Sequence, residues 1–275
     1  MALQLVSRIS SYLRQLNGPR AVTPEEIEGA LRLPVLTIIP HLERRQDALQ
    51  TPGRKKREIH LDGRWLSRLL THFPENSAAY AAYNALLEEL KNFHLKQGRS
   101  LFLVTSPVAS EGTSLTCVNL AIAASKKGIK TLVVEGHIRS PRISMLLSLA
   151  LEPGLTGSFH RASPISSLVQ KSSLAGIDIL PAGRPVEHPQ SLWSSEKFER
   201  LLEGLRKSYP LILFEAGPVL LYPDTAVLAK KMDGIILVHQ FGRTSAERIQ
   251  KALEKLNGSR EAVLGLVVND APFHH

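Results

Sequence analysis

From Ser100 onward the chain repeats short apolar runs at a spacing that few folds accommodate. The runs lie at 101–105, 131–134, 177–180, 211–214, 234–238 and 263–268 and are rich in Leu, Ile and Val. They lack the apolar/polar alternation of a strand with one wet face, so they read as strands buried on both sides. Helical stretches near 114–127, 194–207, 224–231 and 244–256 separate most of them. Strand alternating with helix predicts an α/β fold: a doubly wound, mostly parallel sheet of about 6–8 strands with helices on both faces. Ligands of such sheets sit beyond the carboxyl ends of the strands, so the loops there carry the search for a site.

The first hundred residues are organised differently. Residues 2–16 place Ala2, Leu5, Val6, Ile9, Tyr12, Leu13 and Leu16 on one helical face and polar groups on the other. Such a helix docks on the body of the protein or lies on an anionic membrane surface. Thr23-Pro24-Glu25-Glu26 reads as a helix start, with a short helix to Leu31, and Leu33–Pro40 is an apolar, strand-like run between prolines. From Glu43 to Leu61 the chain turns polar, and Arg54-Lys55-Lys56-Arg57 is its densest charge run. That run reads as a solvated linker, with phospholipid contact as a second role. A long helix over 78–96 follows, with Tyr83, Leu86, Leu87 and Leu90 on its apolar side. The resulting division is 1–43, a tail-like segment with an amphipathic helix; 44–75, a basic linker; and 76–275, the α/β domain.

Composition removes several functions. Lys and Arg number 34 against 25 Asp and Glu, a net charge of +9. Aromatic residues are only 5% and are not interleaved with the basic clusters, so no nucleic-acid partner is expected. Cys117 is the single cysteine, which excludes a disulfide framework and any multi-cysteine zinc site, and the ten histidines form no HExxH motif. Cys117 itself reads as a buried filler, and Trp65 and Trp193 as core or docking residues. His274 and His275 read as a frayed tail. No apolar stretch approaches the ~20 residues that span a bilayer, and 1–16 lacks the features of a signal peptide. The expected setting is the cytoplasm, at the inner face of the cell membrane if residues 2–16 and 54–57 make contact there.

The most informative loop is Thr105-Ser106-Pro107-Val108-Ala109-Ser110-Glu111-Gly112-Thr113-Ser114, between the first strand and an apolar helix. A strand, a loop of small residues and a helix N-terminus converge backbone N–H groups into an anion-binding nest. A strict P-loop ends Gly-Lys-Ser/Thr, the lysine reaching the β/γ-phosphates and the hydroxyl holding magnesium. Thr113 occupies the lysine position, so spacing alone leaves two readings open: a phosphate nest, or a helix capped by Thr113 or Ser114.

Two further segments stand in register with this loop: Glu135-Gly136-His137-Ile138-Arg139-Ser140-Pro141-Arg142 and Leu213-Phe214-Glu215-Ala216-Gly217-Pro218-Val219-Leu220. Together the three resemble the signatures of bacterial tyrosine kinases (BY-kinases) of the polysaccharide co-polymerase, or chain-length determinant, type. That family is related to the MinD/ParA-like deviant P-loop ATPases. Its members read approximately Thr-Ser-x-x-Pro-Gly-Glu-Gly-Lys-Ser, Asp-Ala-Asp-Leu-Arg-Arg-Pro-Arg and Ile-Ile-Asp-Thr-Pro-Pro-Val-Leu. Glu152-Pro153-Gly154-Leu155, Leu180-Pro181-Ala182-Gly183, Ser194–Phe198, Gly242-Arg243-Thr244 and Val267-Val268-Asn269 stand in family order. The stretch from Thr23 to Pro40 is similar to the juxtamembrane tail of one-piece members.

The resemblance implies ATP or ADP with Mg²⁺ as ligands. It implies Ser110, Glu111, Gly112, Thr113, Ser114 and, on the base side, Asn269 as nucleotide-binding positions, with Ser114 and Glu215 on the metal. The departures from the family fall at these chemical positions. Thr113 carries no charge to follow the transferred phosphoryl group, and one such contact is commonly worth on the order of 10²–10³ in rate. Ser110 adds a Cβ where glycine lets backbone approach phosphate. His137 replaces an aspartate that supports Mg²⁺ and the attacking hydroxyl, and Mg²⁺ prefers oxygen. Glu135 and Glu215 lengthen two carboxylates by a methylene. Arg139 and Arg142 match the second signature and meet either an anion or a surface carboxylate.

No tyrosine follows Tyr222, so the tail cluster that relatives autophosphorylate is not expected. Ala81–Leu87 lacks the Glu-x-x-Arg-x-x-Arg of ring-forming relatives, which leaves the oligomeric state open. The expectation is a non-phosphorylating pseudo-kinase subunit that contacts a membrane polysaccharide co-polymerase or an active BY-kinase. The alternatives are an atypical Mg-ATP-dependent tyrosine kinase or ATPase acting on another chain, and a MinD-like membrane-associated positioning protein.

Overall fold

The computed structural model describes residues 28–29, 31–42, 66–93, 98–160 and 164–272. The expectations for 2–16, 23–26, the 54–57 run, Trp65 and His274–His275 therefore lie outside the described residues.

Eight strands form one sheet: β1 (Val35–Pro40), β2 (Leu101–Thr105), β3 (Thr131–Glu135), β4 (Gln170–Lys171), β5 (Ile177–Leu180), β6 (Leu211–Glu215), β7 (Gly234–Gln240) and β8 (Val263–Ala271). Their order across the sheet is β1-β8-β7-β2-β6-β3-β5-β4. Every pairing is parallel except β4 with β5, where Gln170 faces Ile179. The helices are α1 (Ala78–Phe93), α2 (Thr113–Lys126), α3 (Ile143–Leu146), α4 (Gly157–His160), α5 (Pro189–Trp193), α6 (Glu196–Ser208), α7 (Asp224–Ala229) and α8 (Ala246–Lys255). This is the doubly wound α/β architecture the apolar runs predict. The apolar run at 33–40 supplies β1, which pairs with β8 through Ile38 opposite Val268.

Both sheet faces are buried, and residue alternation along each strand divides the core in two. Leu101, Leu103, Ile212 and Phe214 point to one side, with Trp193, Phe198, Leu205, Leu228 and Ile249 from α5 to α8. Phe102, Val104, Leu211 and Leu213 point to the other, with Tyr83, Leu86 and Leu90 of α1 and Val118, Ala121 and Ile122 of α2. That is the period-2 geometry of a pleated strand with a helix layer on each face. Cys117 is fully buried, in line with its reading as a filler.

Trp193, Phe198 and Phe214 form an aromatic cluster with centroid separations of 5.0–6.0 Å, two of the three contacts edge-on. Edge-on rings at this distance are favourable beyond the area they bury. Trp193 is thus a core residue. Helix α6 begins at Glu196 because Ser195 caps it, its hydroxyl accepting from the Phe198 N–H at 3.2 Å, with Glu196 and Glu199 in the first turn and Arg206 and Lys207 in the last. Among the described residues, no helix is long and apolar enough to cross a membrane.

The strand order sets the position of the site. The chain runs from β2 to β3, but β6 lies between them, so the loops leaving β2, β6 and β3 meet at one end of the sheet. They are sewn together: Ala216 N–H donates to Val104 O at 3.0 Å, Gly136 N–H to Glu215 O at 2.8 Å and Val219 N–H to Ser106 O at 2.9 Å. The Thr105 and Thr225 hydroxyls both donate to Gly217 O, at 2.8 and 3.0 Å.

Candidate functional site

A cleft of about 380 Å³ opens where these loops converge. The β2–α2 loop contributes Ser110, Gly112, Thr113 and Ser114; the β3 loop contributes His137 and Arg142; Glu215 lies at its base. Most of the positions drawn from the three signatures are thus gathered in one place. Glu111 also reaches the lining, whereas Glu135 and Asn269 stay outside it.

The β2–α2 loop turns through two left-handed residues, Ser110 at φ +66° and Gly112 at φ +90°. Gly112 is the N-cap of α2 and makes no side-chain cap, so neither Thr113 nor Ser114 caps the helix. The physical reason is that the turn needs positive φ at the cap, which glycine adopts freely. Ser110 adopts that conformation against its own Cβ, a cost of roughly 1–2 kcal/mol. Ser110→Gly should therefore raise stability by about 0.5–1 kcal/mol, the gain being offset in part by the freer unfolded chain. Urea unfolding measures this; an unchanged or lower midpoint would show that the serine is not strained.

Glu111 is 1% exposed and ties the loop to its neighbours. Its Oε1 accepts from the Thr244 hydroxyl at 2.6 Å, and its Oε2 accepts from the Gln240 N–H. Asn269 Nδ2 donates to Glu111 O at 2.9 Å. A Cβ added at Gly112 would lie 2.1 Å from that same amide nitrogen. The ends of β7 and β8 and the turn before α8 thus hold the loop, and the Asn269 amide donates to the loop backbone.

The two lengthened carboxylates have separate tasks. Glu135 is fully buried and turns away from the cleft. Its Oε1 accepts from Ile143 N at 2.6 Å and Ser144 N at 3.0 Å; its Oε2 accepts from the Ser144 hydroxyl and from Ala182 N at 3.2 Å. Four donors surround it, so it ties α3 and the loop after β5 to the end of β3. Glu215 instead takes the Ser114 hydroxyl on Oε1 at 2.8 Å, while its buried Oε2 has no partner. Burial, reinforced by the charge of Glu135, pushes the Glu215 carboxyl up to about 8; the bond from Ser114 works in the opposite direction.

His137 is held neutral. Burial and then the positive charges of Arg139 and Arg142 lower its imidazole to about 4. The ring packs on Tyr222 at 5.2 Å, and its buried Nε2 has no hydrogen-bond partner. Gly217 makes room for it: a Cβ there would lie 2.9 Å from His137 Cδ2 and 2.6 Å from Tyr222 Cδ2. Gly136 does the same for Phe214, whose Cε1 would be 2.2 Å from an added Cβ. Gly136 is thus fitted to Phe214 and His137 to Gly217, while Ser114, which matches the family signature, meets the lengthened Glu215. The fit becomes visible only when β3 and β6 are seen as neighbours.

The two arginines of the second signature part company. Arg139 Nη1 binds Asp224 at 2.8 and 3.0 Å, with its guanidinium over the Tyr222 ring. Arg142 is exposed and lines the cleft.

For magnesium, which the resemblance implies, the positions assigned to it leave one unpaired carboxylate oxygen, Glu215 Oε2. Both oxygens of Glu135 are filled by protein donors, Ser114 is turned to Glu215, and a neutral imidazole stands at 137. Among the described residues no group of three or more His, Cys, Asp or Glu side chains could hold a metal ion.

No protein-family model matches the chain. Among curated proteins it is 30% identical over 167 residues to the tyrosine-protein kinase YwqD of Bacillus subtilis, covering 61% of this chain and 70% of that protein. It is 25% identical over 261 residues to the putative tyrosine-protein kinase EpsB of Ralstonia solanacearum, covering 95% of this chain and 34% of that protein. Among solved structures, the kinase domain of the Escherichia coli tyrosine kinase ETK superposes with a TM-score of 0.79 at 19% identity, over 93% of this chain and 95% of that one. The sheet also matches a cobyrinic acid a,c-diamide synthase of Mycobacterium smegmatis with bound ATP analogue and magnesium, at TM-score 0.52 and 12% identity over 62% of this chain and 72% of that one. The fold is P-loop NTPase-like, of the MinD/ParA kind, and the chain belongs to the BY-kinase family of bacterial tyrosine kinases.

Proposed function

We propose that this chain is a pseudo-kinase member of the family: a regulatory or scaffold subunit of exopolysaccharide or capsule biosynthesis and export that does not transfer phosphoryl groups. One observation carries the reading. The groups at the metal positions are engaged with the protein itself, Glu135 with four donors and Ser114 with Glu215. Phosphoryl transfer depends on positioned positive charge around the transferred group. Here Thr113 supplies none, Glu135 is bound to four donors away from the cleft, and Glu215 is met by the Ser114 hydroxyl. The polysaccharide setting comes from the family resemblance. Its partner would be a membrane polysaccharide co-polymerase or an active BY-kinase, reached at the inner face of the membrane with residues 2–16 and 54–57 nearest the lipid.

The test is phosphotyrosine formation. The purified chain is incubated with ATP and Mg²⁺, alone and with a catalytically inactivated BY-kinase as acceptor, beside a Thr113→Lys variant. No phosphotyrosine is expected from either form. The lysine alone restores one contact worth on the order of 10²–10³ and leaves Glu135, His137 and Glu215 where they are. Phosphotyrosine on the partner would sink the pseudo-kinase reading and establish an atypical kinase acting on another chain. Liposome binding with no partner present would favour the MinD-like alternative.

A further inference from the structure

We propose that the end of the sheet opposite the cleft is a basic surface that lies on an anionic lipid membrane, so that the cleft faces away from the bilayer. The inference deepens the membrane-facing part of the proposed function and rests on that part alone.

All strands but β4 run the same way, so the loops that enter them gather at the end of the sheet away from the cleft. Those entering β3, β6 and β7 include Lys126-Lys127-Gly128-Ile129-Lys130, Arg206-Lys207-Ser208-Tyr209-Pro210 and Lys230-Lys231-Met232-Asp233, and the segment 257–262 enters β8. Contacts join these loops into one surface. Lys130 Nζ lies 4.5 Å above the Tyr209 ring, Arg206 binds Asp233, and Lys230 packs against Gly258, where an added Cβ would be 3.0 Å from its Cε. β8, β7, β2, β6 and β3 are consecutive in the sheet, so the surface spans about 20 Å at the usual strand spacing. The acids near this end are already engaged: Asp233 with Arg206, Asp178 with Lys171 and the Tyr209 hydroxyl, Glu199 with Lys231 and Glu75 with Lys126. Glu261 is exposed and stands beside Arg260. Lys127, Lys130, Lys207 and Lys230 are left exposed, and no carboxylate pairs with them among the described residues.

The unpaired excess is lysine, not arginine. An ammonium is a strongly hydrated point charge without the fork that holds a phosphate or carboxylate in fixed pairwise geometry. Such a surface suits a partner whose charges move to meet it, as anionic headgroups do in a fluid bilayer. Each lysine near an anionic membrane contributes about fivefold to binding. Chain connectivity points the same way. β1 starts at this end, so the amphipathic sequence at 2–16 is attached here through residues 17–34. Attachment to a bilayer combines buried apolar area with attraction between basic groups and anionic lipid. The run at 54–57 is attached at the other end, between Leu42, beyond β1, and Leu66, which lines the cleft. The two basic groups therefore turn opposite ends of the sheet to the lipid, and substitution at each distinguishes them.

The experiment is flotation of the whole chain with phosphatidylcholine vesicles, with and without phosphatidylglycerol, at low and at physiological salt. The unmodified chain is compared with a glutamine set (Lys127→Gln, Lys130→Gln, Lys207→Gln and Lys230→Gln together), the corresponding arginine set, and Lys55→Gln with Lys56→Gln. The unmodified chain is expected to bind the phosphatidylglycerol vesicles and not phosphatidylcholine alone, less tightly as salt rises. The glutamine set should lose about 10²–10³-fold in affinity. The arginine set keeps the charge and should bind like the parent, which separates lost charge from a damaged surface. Lys55→Gln with Lys56→Gln should also bind like the parent. The four edge lysines are exposed, so both sets should melt with the parent. No binding to phosphatidylglycerol vesicles would overturn the proposal and leave the surface to an acidic protein. A glutamine set that binds like the parent would overturn it too and move the contact to 2–16 or 54–57, which is the vesicle result that marks the MinD-like alternative. Loss through Lys55→Gln and Lys56→Gln instead would turn the cleft end to the lipid, and equal binding to phosphatidylcholine would make apolar insertion the cause; either overturns the proposal. Phosphotyrosine formation would sink the pseudo-kinase reading while leaving a vesicle result standing, so the two failures are distinguishable.

Discussion

Glu135→Ala should cost on the order of 4 kcal/mol of folding stability. The substitution strips acceptors from three backbone N–H groups, those of Ile143, Ser144 and Ala182, and from the Ser144 hydroxyl, all around a fully buried side chain. A buried donor left unpaired costs roughly 1–3 kcal/mol. The Ser144 hydroxyl can rotate to a new partner, which keeps the total below the sum of four such penalties. Glu135→Gln should be milder but still destabilising, because its amide group would face at least one donor with another donor. Chemical denaturation of the two variants measures the effect. A metal-ligand role makes a different prediction: a carboxylate held for a cation is repelled by its neighbours in the free protein, so removing it would leave stability unchanged or raise it. A small loss, under about 1 kcal/mol, would mean that water replaces the carboxylate and that Glu135 is not the tie described here.

The contrast between Glu135 and the strand that bears it shows which parts of this molecule are legible in the sequence. β3 is evident from its Val-rich run because burial on both faces leaves a composition signature that does not depend on neighbours. The same holds for β2, β5, β6, β7 and β8, and for the amphipathic α6 and α8. β4 has two residues, and α3 and α4 have four each. Elements so short take their shape from what they pack against, and no periodicity can develop in them. At the site, the resemblance to the family's signatures implied the positions, but not their partners. His137 and Gly217 lie eighty positions apart, and their fit depends on β3 pairing with β6, Glu135 opposite Glu215. The cap of α2 is similar: Thr113 and Ser114 are the residue types that favour caps, yet the loop's left-handed turn places Gly112 there and leaves the Ser114 hydroxyl for Glu215. Arg142 was readable as a candidate anion contact, but its separation from Arg139 followed only from seeing Asp224 beside one and not the other.

Glu215 gives the fold a dependence on pH. Its carboxyl is pushed up to about 8 by burial and by the charge of Glu135, against an ordinary value near 4.5. Below pH 4.5 the group is protonated in both the folded and the unfolded chain and contributes no slope. Between 4.5 and about 8 the unfolded chain gives up its proton while the folded chain keeps it, so the folded state binds more protons and stability falls as pH rises. The slope approaches about 1.4 kcal/mol per pH unit where the two states differ by one full proton. Above about 8 the folded carboxyl ionises too and the slope disappears. Glu215→Gln removes this term and keeps an oxygen to accept from Ser114, although its amide N–H₂ enters the place where Oε2 has no partner. The variant should therefore be about as stable as the parent at pH 5 or slightly less so, and more stable by about 2–4 kcal/mol at pH 8. Denaturant midpoints of both proteins across pH 5 to 9 measure the difference. Parallel pH curves would show that Glu215 is ionised throughout, as a carboxylate kept for a cation would be. A gap that widens with pH would show that a proton occupies the position where active relatives are expected to place a metal.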